Sequence, residues 1–314
     1  VEQCPNELFQ NVLKCLKQLE KFSERVHFCG ITNQRETIIA FHRSTGKSIG
    51  NAISWMDTRS AEVVNRLKLK FGAELSEYYE LKTGLKFSTY FSAFKIKWFL
   101  ENHYANSSIP DDITFCTVDS WILWNLTLGN DFFTDTSNAS RTFLLDLRCD
   151  TWDSDLLELF SIKREWLPEI KNNTPFLRTV YGEIASNFPF YGVKITAIVG
   201  DQQASLIGHW GKYYSENMKC TFGTGAFLLR SVNQNESPQL NRDCLRTLLL
   251  SGQICEEYPI ICAGSLVEWM QNSLNFIENL QELDQVCFSS DKSAKESVYF
   301  NPNLSGALFP YWDP

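Results

Sequence analysis

Three short segments carry residue types suited to moving a phosphoryl group onto a small hydroxylated molecule. Within Gly30-Ile-Thr-Asn-Gln-Arg-Glu-Thr37, Arg35 sets a planar donor fork beside the carboxylate of Glu36, a pairing able to bracket hydroxyl groups. Asp201, in Gly200-Asp-Gln-Gln203, is an acid that can accept the proton of an attacking hydroxyl. Phe222-Gly-Thr-Gly225 is a small-residue turn whose backbone can approach a phosphate. Each segment also has a plainer reading. An arbitrary Arg-Glu dipeptide is a solvated pair worth about 0–1 kcal/mol, an Asp after Gly is a helix N-cap, and a Gly-Thr-Gly triplet closes a hairpin. Context favours chemistry, because the Arg-Glu step follows an apolar strand and ligand crevices of α/β folds gather at strand ends. Phosphoryl transfer asks mainly for positioning and charge neutralisation, so a carboxylate of ordinary acidity suffices as base.

The elements that must position these residues emerge from periodicity. Leu8, Val12, Leu13, Leu16 and Leu19 recur at helical spacing, and Val26 to Ile31 reads as a short buried strand. Thr37 to Phe41 and Asn51 to Trp55 read as strands joined through Ser44-Thr-Gly-Lys47, with a helix over Ser60 to Phe71. Further helices are expected at Phe91 to Asn102, Asp119 to Leu126, capped by Asp119, and Trp152 to Phe160. Ile195 to Val199 is a strand running into Gly200-Asp201. Met218 to Phe222 and Ala226 to Val232 form a hairpin, Thr247 to Ser251 is another strand, and a helix runs from Gly264 to about Leu280. Ser289 to Glu296 reads as a loop. Mixed strands and helices with the chemistry at strand ends indicate an α/β fold with a cleft between two lobes.

Composition narrows the partners. The chain of 314 residues is 44% hydrophobic, enough for two sizeable cores, and its net charge of −8 argues against a general grip on nucleic acid. No apolar run is long enough for a bilayer span, and no basic-then-apolar leader opens the sequence, so a cytoplasmic location is expected. The ten cysteines show no Cys-x-x-Cys pair, and reduced, mostly buried thiols are expected. The four histidines are isolated in sequence and receive no role, Trp121, Trp124 and Trp166 are read as packing residues, and Lys95 and Lys97 are expected to be solvated.

The wording and order of Asn51-Ala-Ile-Ser-Trp55, Thr83-Gly-Leu85, Tyr90-Phe-Ser-Ala-Phe-Lys95, Val118-Asp-Ser-Trp-Ile-Leu-Trp124, Thr134-Asp-Thr-Ser-Asn-Ala-Ser-Arg-Thr142 and Pro310-Tyr-Trp-Asp-Pro314, together with the Arg-Glu, Gly-Asp and Gly-Thr-Gly segments, resemble the glycerol kinases of the FGGY carbohydrate kinase family. The resemblance spans nearly the whole chain, and its departures suggest a divergent animal paralogue of the main metabolic enzyme. It implies a two-domain ribonuclease-H-like architecture of the actin and sugar kinase type. Residues 1–211 would be most of the first domain and 212–314 the opening of the second, truncated at both ends. It implies glycerol contact at Arg35, Glu36, Tyr90, Asp201 and Gln202, with Trp55 and Phe227 as apolar walls and Asp201 as general base. It also implies ATP contact at Thr224, Gly225, Gly264 and Glu268, and Mg2+ reached indirectly by Asp201.

Glu268 departs from the pattern, since the family carries Gln there and a carboxylate beside a triphosphate is unfavourable unless it faces away or takes a metal. The family's opening Asp-x-Gly-Thr turn and Gly-rich adenosine loop are absent, which implies a fragment of a longer parent, inactive alone; homo-oligomerisation of that parent is left open. The rival readings are a kinase of another polyol or sugar, and a polyol-binding or regulatory protein that keeps the fold without turnover.

Overall fold

The computed structural model describes residues 1–172, 179–210, 218–232, 243–249, 253–260, 262–289 and 307–312. The strand Ile38–His42 is buried on both faces, which is why it reads as an unbroken apolar run. Ile39 and Phe41 enter a cluster with Trp121, Leu123 and Phe132, while Ile38 and Ala40 enter another with Phe91, Phe94, Phe115 and Phe143. It pairs antiparallel with Ile113–Thr117, with Lys47–Ser48 and, at one residue pair, with Ala52–Ile53.

A second sheet places the chemistry. Phe28–Asn33 runs parallel to Lys194–Gly200, with Val199 opposite Thr32 and Gly200 opposite Asn33. Two parallel strands that stop at the same level deliver the residues just beyond them side by side: Arg35 past the end of one, Asp201 past the end of the other. Among the described residues Phe28–Asn33 has a strand partner on one side only, so the buried strand expected there is an edge: Ile31 and Asn33 are buried, whereas Phe28 is exposed. A third sheet holds Met218–Phe222, Ala226–Val232, Ile254–Ile260 and Leu245–Leu248 in that order, all neighbours antiparallel. It is tied to the preceding part of the chain by its backbone N–H groups, Arg246 N–H donating to the Gly84 carbonyl at 2.7 Å and Leu248 N–H to Ser140 Oγ at 3.0 Å.

The helices Pro5–Leu19, Ser92–His103 and Ser154–Phe160 lie where the sequence pattern puts them, and Asp201–Trp210 follows the strand that ends at Gly200. The helix expected from Ser60 to Phe71 starts at Ala61 and ends where Gly72, at φ +67°, separates it from a second segment that runs to Thr83. Three expectations are corrected. Asp119 is not a cap: it lies inside Val118–Leu126, fully buried, accepting from the Thr134 hydroxyl at 2.6 Å and from those of Thr117 and Ser120. The helix from Gly264 stops at Asn272 instead of Leu280, with Asn275 turned to φ +52° before a new helix, Leu280–Ser289. Cysteines are less buried than expected: of the nine described as free thiols only Cys116, Cys244 and Cys255 are buried, while Cys4, Cys15, Cys149 and Cys220 are exposed. The Thr247 to Ser251 strand is realised as Leu245–Leu248, and residues 250–251 lie outside the described residues, as does nearly all of the loop expected after Ser289. Among the described residues no helix is long and apolar enough to cross a membrane.

Candidate functional site

Arg35 emerges just past its strand and is 3% exposed. Its Nε lies 3.2 Å from Asp201 Oδ1, so two candidate residues far apart in the chain meet directly. Its terminal nitrogens are turned away from solvent: Nη1 donates to Glu257 Oε2 at 2.7 Å and to Gln203 Oε1 at 3.0 Å, and Nη2 donates to Glu257 Oε1 at 3.1 Å. This two-pronged grip is the strong geometry for a guanidinium and a carboxylate. Gly200 permits it, because a Cβ there would sit 2.7 Å from Arg35 Cδ. Asp201 opens its helix, accepts from the Gln202 N–H at 2.7 Å, and keeps 44% of its side chain exposed. That contact reaches only the adjacent N–H and not the second or third of the helix, so Asp201 is the first helical residue and not the expected cap, with a free face for a hydroxyl.

Glu36 is 2% exposed and stands at φ +59°, a left-handed conformation costly for a residue with a side chain and found where function holds it. Its partner is not Arg35, whose Nε is 4.0 Å away, but Arg141, whose Nε donates to Glu36 Oε1. The bracket expected from Arg35-Glu36 is therefore a buried ring: Arg35, Glu257, Arg141, Glu36. Arg141 Nη2 approaches Glu257 Oε1 at 3.4 Å without hydrogen-bond geometry, and its Nη1 has no hydrogen-bond partner among the described residues. Burial raises the Glu36 carboxyl against the pull of Arg141 and Arg35. Burial also opposes the charge on Glu257, but there Arg141 and Arg35 prevail and hold it below the ordinary range.

Above the ring stands Tyr90, 6% exposed, its ring 5.1 Å from the Arg141 guanidinium carbon and its hydroxyl pushed up by burial. Lys95, expected in solvent, is fully buried because Ser92–His103 packs on both sides, and its ammonium donates to the Tyr90 carbonyl. Trp55 packs against Tyr90 with centroids 5.7 Å apart and against Phe227 at 6.5 Å, so the two expected apolar walls face each other. Trp55 and Tyr90 border a cleft of about 670 Å³ that Thr224, Ser265, Leu266 and Trp269 also line, whereas Phe227, Arg35, Glu36, Asp201 and Gln202 do not line it. Gln202 turns its amide oxygen to Lys219 Nζ and Thr221 Oγ1, both at 3.3 Å, which leaves its NH2 group for a ligand.

The Gly-Thr-Gly turn does close the hairpin between Met218–Phe222 and Ala226–Val232, and it is stitched to the helix Gly264–Asn272. Ala263 and Ser265 N–H donate to the Thr224 carbonyl at 2.9 and 3.2 Å, and Gly264 N–H donates to the Gly223 carbonyl at 2.8 Å. The helix start, expected to attract anions, thus spends its first donors on the turn. The Thr224 and Gly225 N–H groups and the Thr224 hydroxyl are what the turn can offer a phosphate. Glu268 is exposed and does not line the cleft, so its carboxylate faces away from it.

These residues fit a nucleotide's phosphates at Thr224 and Gly225. Among the described residues no group of three or more His, Cys, Asp or Glu is gathered to hold a metal. An ion such as Mg2+ would have to arrive on those phosphates, and the half-exposed Asp201 would be the carboxylate of the site open to it.

The profile of the N-terminal domain of the FGGY family of carbohydrate kinases matches residues 1–208. The chain belongs to the FGGY family. Among curated relatives, the glycerol kinase of Brucella anthropi is 37% identical over 99% of this chain, which spans 63% of that protein. A solved glycerol kinase of Plasmodium falciparum with ADP superposes with a TM-score of 0.78 at 31% identity, covering 92% of this chain and 58% of that one. A xylulose kinase of Lactobacillus acidophilus gives 0.81 at 21% identity over 99% of this chain and 62% of that one, a likeness of fold. This FGGY chain therefore has the actin-like sugar kinase architecture and spans less than two thirds of the relatives it matches. Glu257, Arg141 and Gln203 received no role from the sequence. The available signal was Glu256-Glu257 inside an otherwise apolar strand, Ile254–Ile260.

Proposed function

We propose that this chain supplies the acceptor site and part of the nucleotide site of a cytoplasmic, ATP-dependent glycerol kinase, whose product is glycerol 3-phosphate. The observation that carries the reading is Arg35 Nε at 3.2 Å from Asp201 Oδ1, and it is supported by the cleft that Trp55 and Tyr90 share with Thr224. Relatives 33–37% identical over nearly the whole chain that bear the name glycerol kinase or probable glycerol kinase support it. Residues 1–211 form most of the first domain and 212–314 the opening of the second.

Trp55 and Phe227 hold the carbon backbone of the polyol, and Arg35, Glu36, Tyr90 and the Gln202 NH2 orient its hydroxyls. Asp201 accepts the proton of the attacking hydroxyl as the O–P bond forms, with Arg35 fixing the carboxylate. Thr224 and Gly225 meet the phosphates, Gly264 braces them through the turn, and Glu268 lies at the margin of the nucleotide. Bound Mg-ATP supplies the transferable phosphoryl group and neutralises its charge.

The test compares the longer parent protein with residues 1–314 alone, each given glycerol and Mg-ATP, with glycerol 3-phosphate read by mass spectrometry. Product from the parent and none from residues 1–314 is expected. A parent that phosphorylates another polyol or sugar in preference to glycerol overturns the acceptor, and turnover by residues 1–314 overturns the division of the sites. One observation favours a second reading, a polyol-binding protein without turnover: most donors of Arg35 are already spent on Glu257 and Gln203. Calorimetry separates the two, since the parent kinase binds both glycerol and Mg-ATP whereas the sensor binds the polyol alone.

A further inference from the structure

We infer that Glu257, a residue of the second lobe, is a positioning residue for the acceptor site, acting through Arg35; the inference rests on the glycerol kinase reading. Arg35 belongs to the loop after Phe28–Asn33, and Glu257 to the middle of Ile254–Ile260, more than two hundred residues later and in a different sheet. A guanidinium has two edges it can present to a carboxylate. Glu257 takes the edge formed by Nη1 and Nη2, at 2.7 and 3.1 Å, and Gln203, itself tied to Thr247 Oγ1 at 3.1 Å, takes the second hydrogen of Nη1. With those nitrogens committed, Nε is the nitrogen left to face Asp201, at 3.2 Å. The orientation of Arg35, and through it that of the Asp201 carboxylate, is therefore set by a side chain outside the first lobe.

The charges make the arrangement specific. Arg35 and Arg141 are both fully enclosed, and Glu36 and Glu257 balance them one for one. Without the Glu257 charge, Arg35 would have Glu36 and Asp201 as its remaining carboxylates, both on its Nε side. The guanidinium would turn toward them and vacate the angle from which it meets a hydroxyl. Glu257 is fully buried and both its carboxylate oxygens are committed to Arg35, so on this reading it acts by aiming Arg35 and not as a catalytic group.

The test uses the full-length protein with E257Q, E257D, R35K and the R35K/E257Q double variant, read by KM for glycerol, KM for Mg-ATP, kcat and melting temperature. E257Q keeps the shape and one acceptor but loses the charge, and truncating one partner of a buried charge pair is worth about tenfold or more. Expected is a glycerol KM raised about tenfold in E257Q with the Mg-ATP KM within about twofold, partial recovery in E257D, and a double variant no worse than R35K, as coupled residues behave. An unchanged glycerol KM in E257Q overturns the inference, and so do effects of R35K and E257Q that simply add. If E257Q fails to fold, E257D decides alone: a normal glycerol KM, or equal losses for both substrates tracking the melting temperature, overturns it. A wild type that phosphorylates no polyol overturns the functional reading and this inference together, whereas an active wild type with an unaffected E257Q overturns this inference only.

Discussion

Asp201 is both the start of a helix and the half-exposed carboxylate beside Arg35, and the two roles separate in one substitution. D201N keeps the oxygen that accepts from the Gln202 N–H but loses the ability to take a proton. Turnover of the full-length protein is expected to fall about 10²–10⁴-fold, with glycerol affinity by calorimetry nearly unchanged. Loss of binding together with folding would instead assign Asp201 a purely structural role. Lys95 carries the pH dependence. Burial lowers its amine to about 7, whereas in the unfolded chain it holds its proton to about 10.4. Between those values the unfolded state binds the extra proton, so stability rises with pH from about 7 to about 10 and is flat below. The near-isosteric K95M is expected to exceed the wild type in urea midpoint at pH 7, with the gap closing toward pH 10. A gap independent of pH would show that Lys95 holds its proton as readily in the folded state as in the unfolded one.

At the scale of elements, two glycines mark where strand ends and turns come too close for a side chain. A Cβ at Gly200 meets Arg35 Cδ at 2.7 Å, and one at Gly264 meets the Gly223 carbonyl oxygen at 2.7 Å. G200A is expected to raise the glycerol KM about tenfold by pushing Arg35 off Glu257, and G264A to raise the Mg-ATP KM by lifting the Gly-Thr-Gly turn off its helix. Steady-state kinetics with each substrate varied in turn checks this crossed pattern, and either glycine affecting both substrates equally would refute it.

The strands on both sides of these glycines were legible from apolar runs, because Ile38–His42 and Lys194–Gly200 are buried along most of their length. The meeting of Arg35 with Asp201 was legible only as strand ends, since register is not written in either segment alone. Glu257 and Arg141 were hard to read for a plain reason: a charge buried by a partner more than a hundred residues away looks, in sequence, like a charge in solvent. Lys95 and Asp119 differ, because their partners are near in sequence, the Tyr90 carbonyl for one and the hydroxyls of Thr117, Ser120 and Thr134 for the other. Their buried apolar neighbours, Phe94 and Ile96, Val118 and Trp121, were the signal for burial.

For the molecule as a whole, polar contacts tie the sheet that carries Glu257 to the preceding part of the chain, beside the apolar packing of Leu245 and Leu248. Arg141 and Glu257 face one another across the junction, with Gln203 to Thr247 and Leu248 to Ser140 beside them. Breaking a buried ion network from one side leaves a charge uncompensated. R141M should therefore cost about 3–5 kcal/mol of stability, measured by urea unfolding followed through the tryptophans of both parts. A cost near zero would mean that the ring assembles without holding them together.

The strand Ile254–Ile260 has one more property: a few residues after Glu257 the chain reaches Ala263, Gly264 and Ser265, which are tied to the Gly-Thr-Gly turn. On the proposed function, the handle that aims Arg35 at a hydroxyl and the bracket under the loop offered to phosphate thus hang from one short piece of polypeptide. Anyone breeding this scaffold for a new alcohol by random mutagenesis should find that winning changes near that piece drag nucleotide kinetics along with them, so a selection for acceptor choice has to score both substrates from the first round.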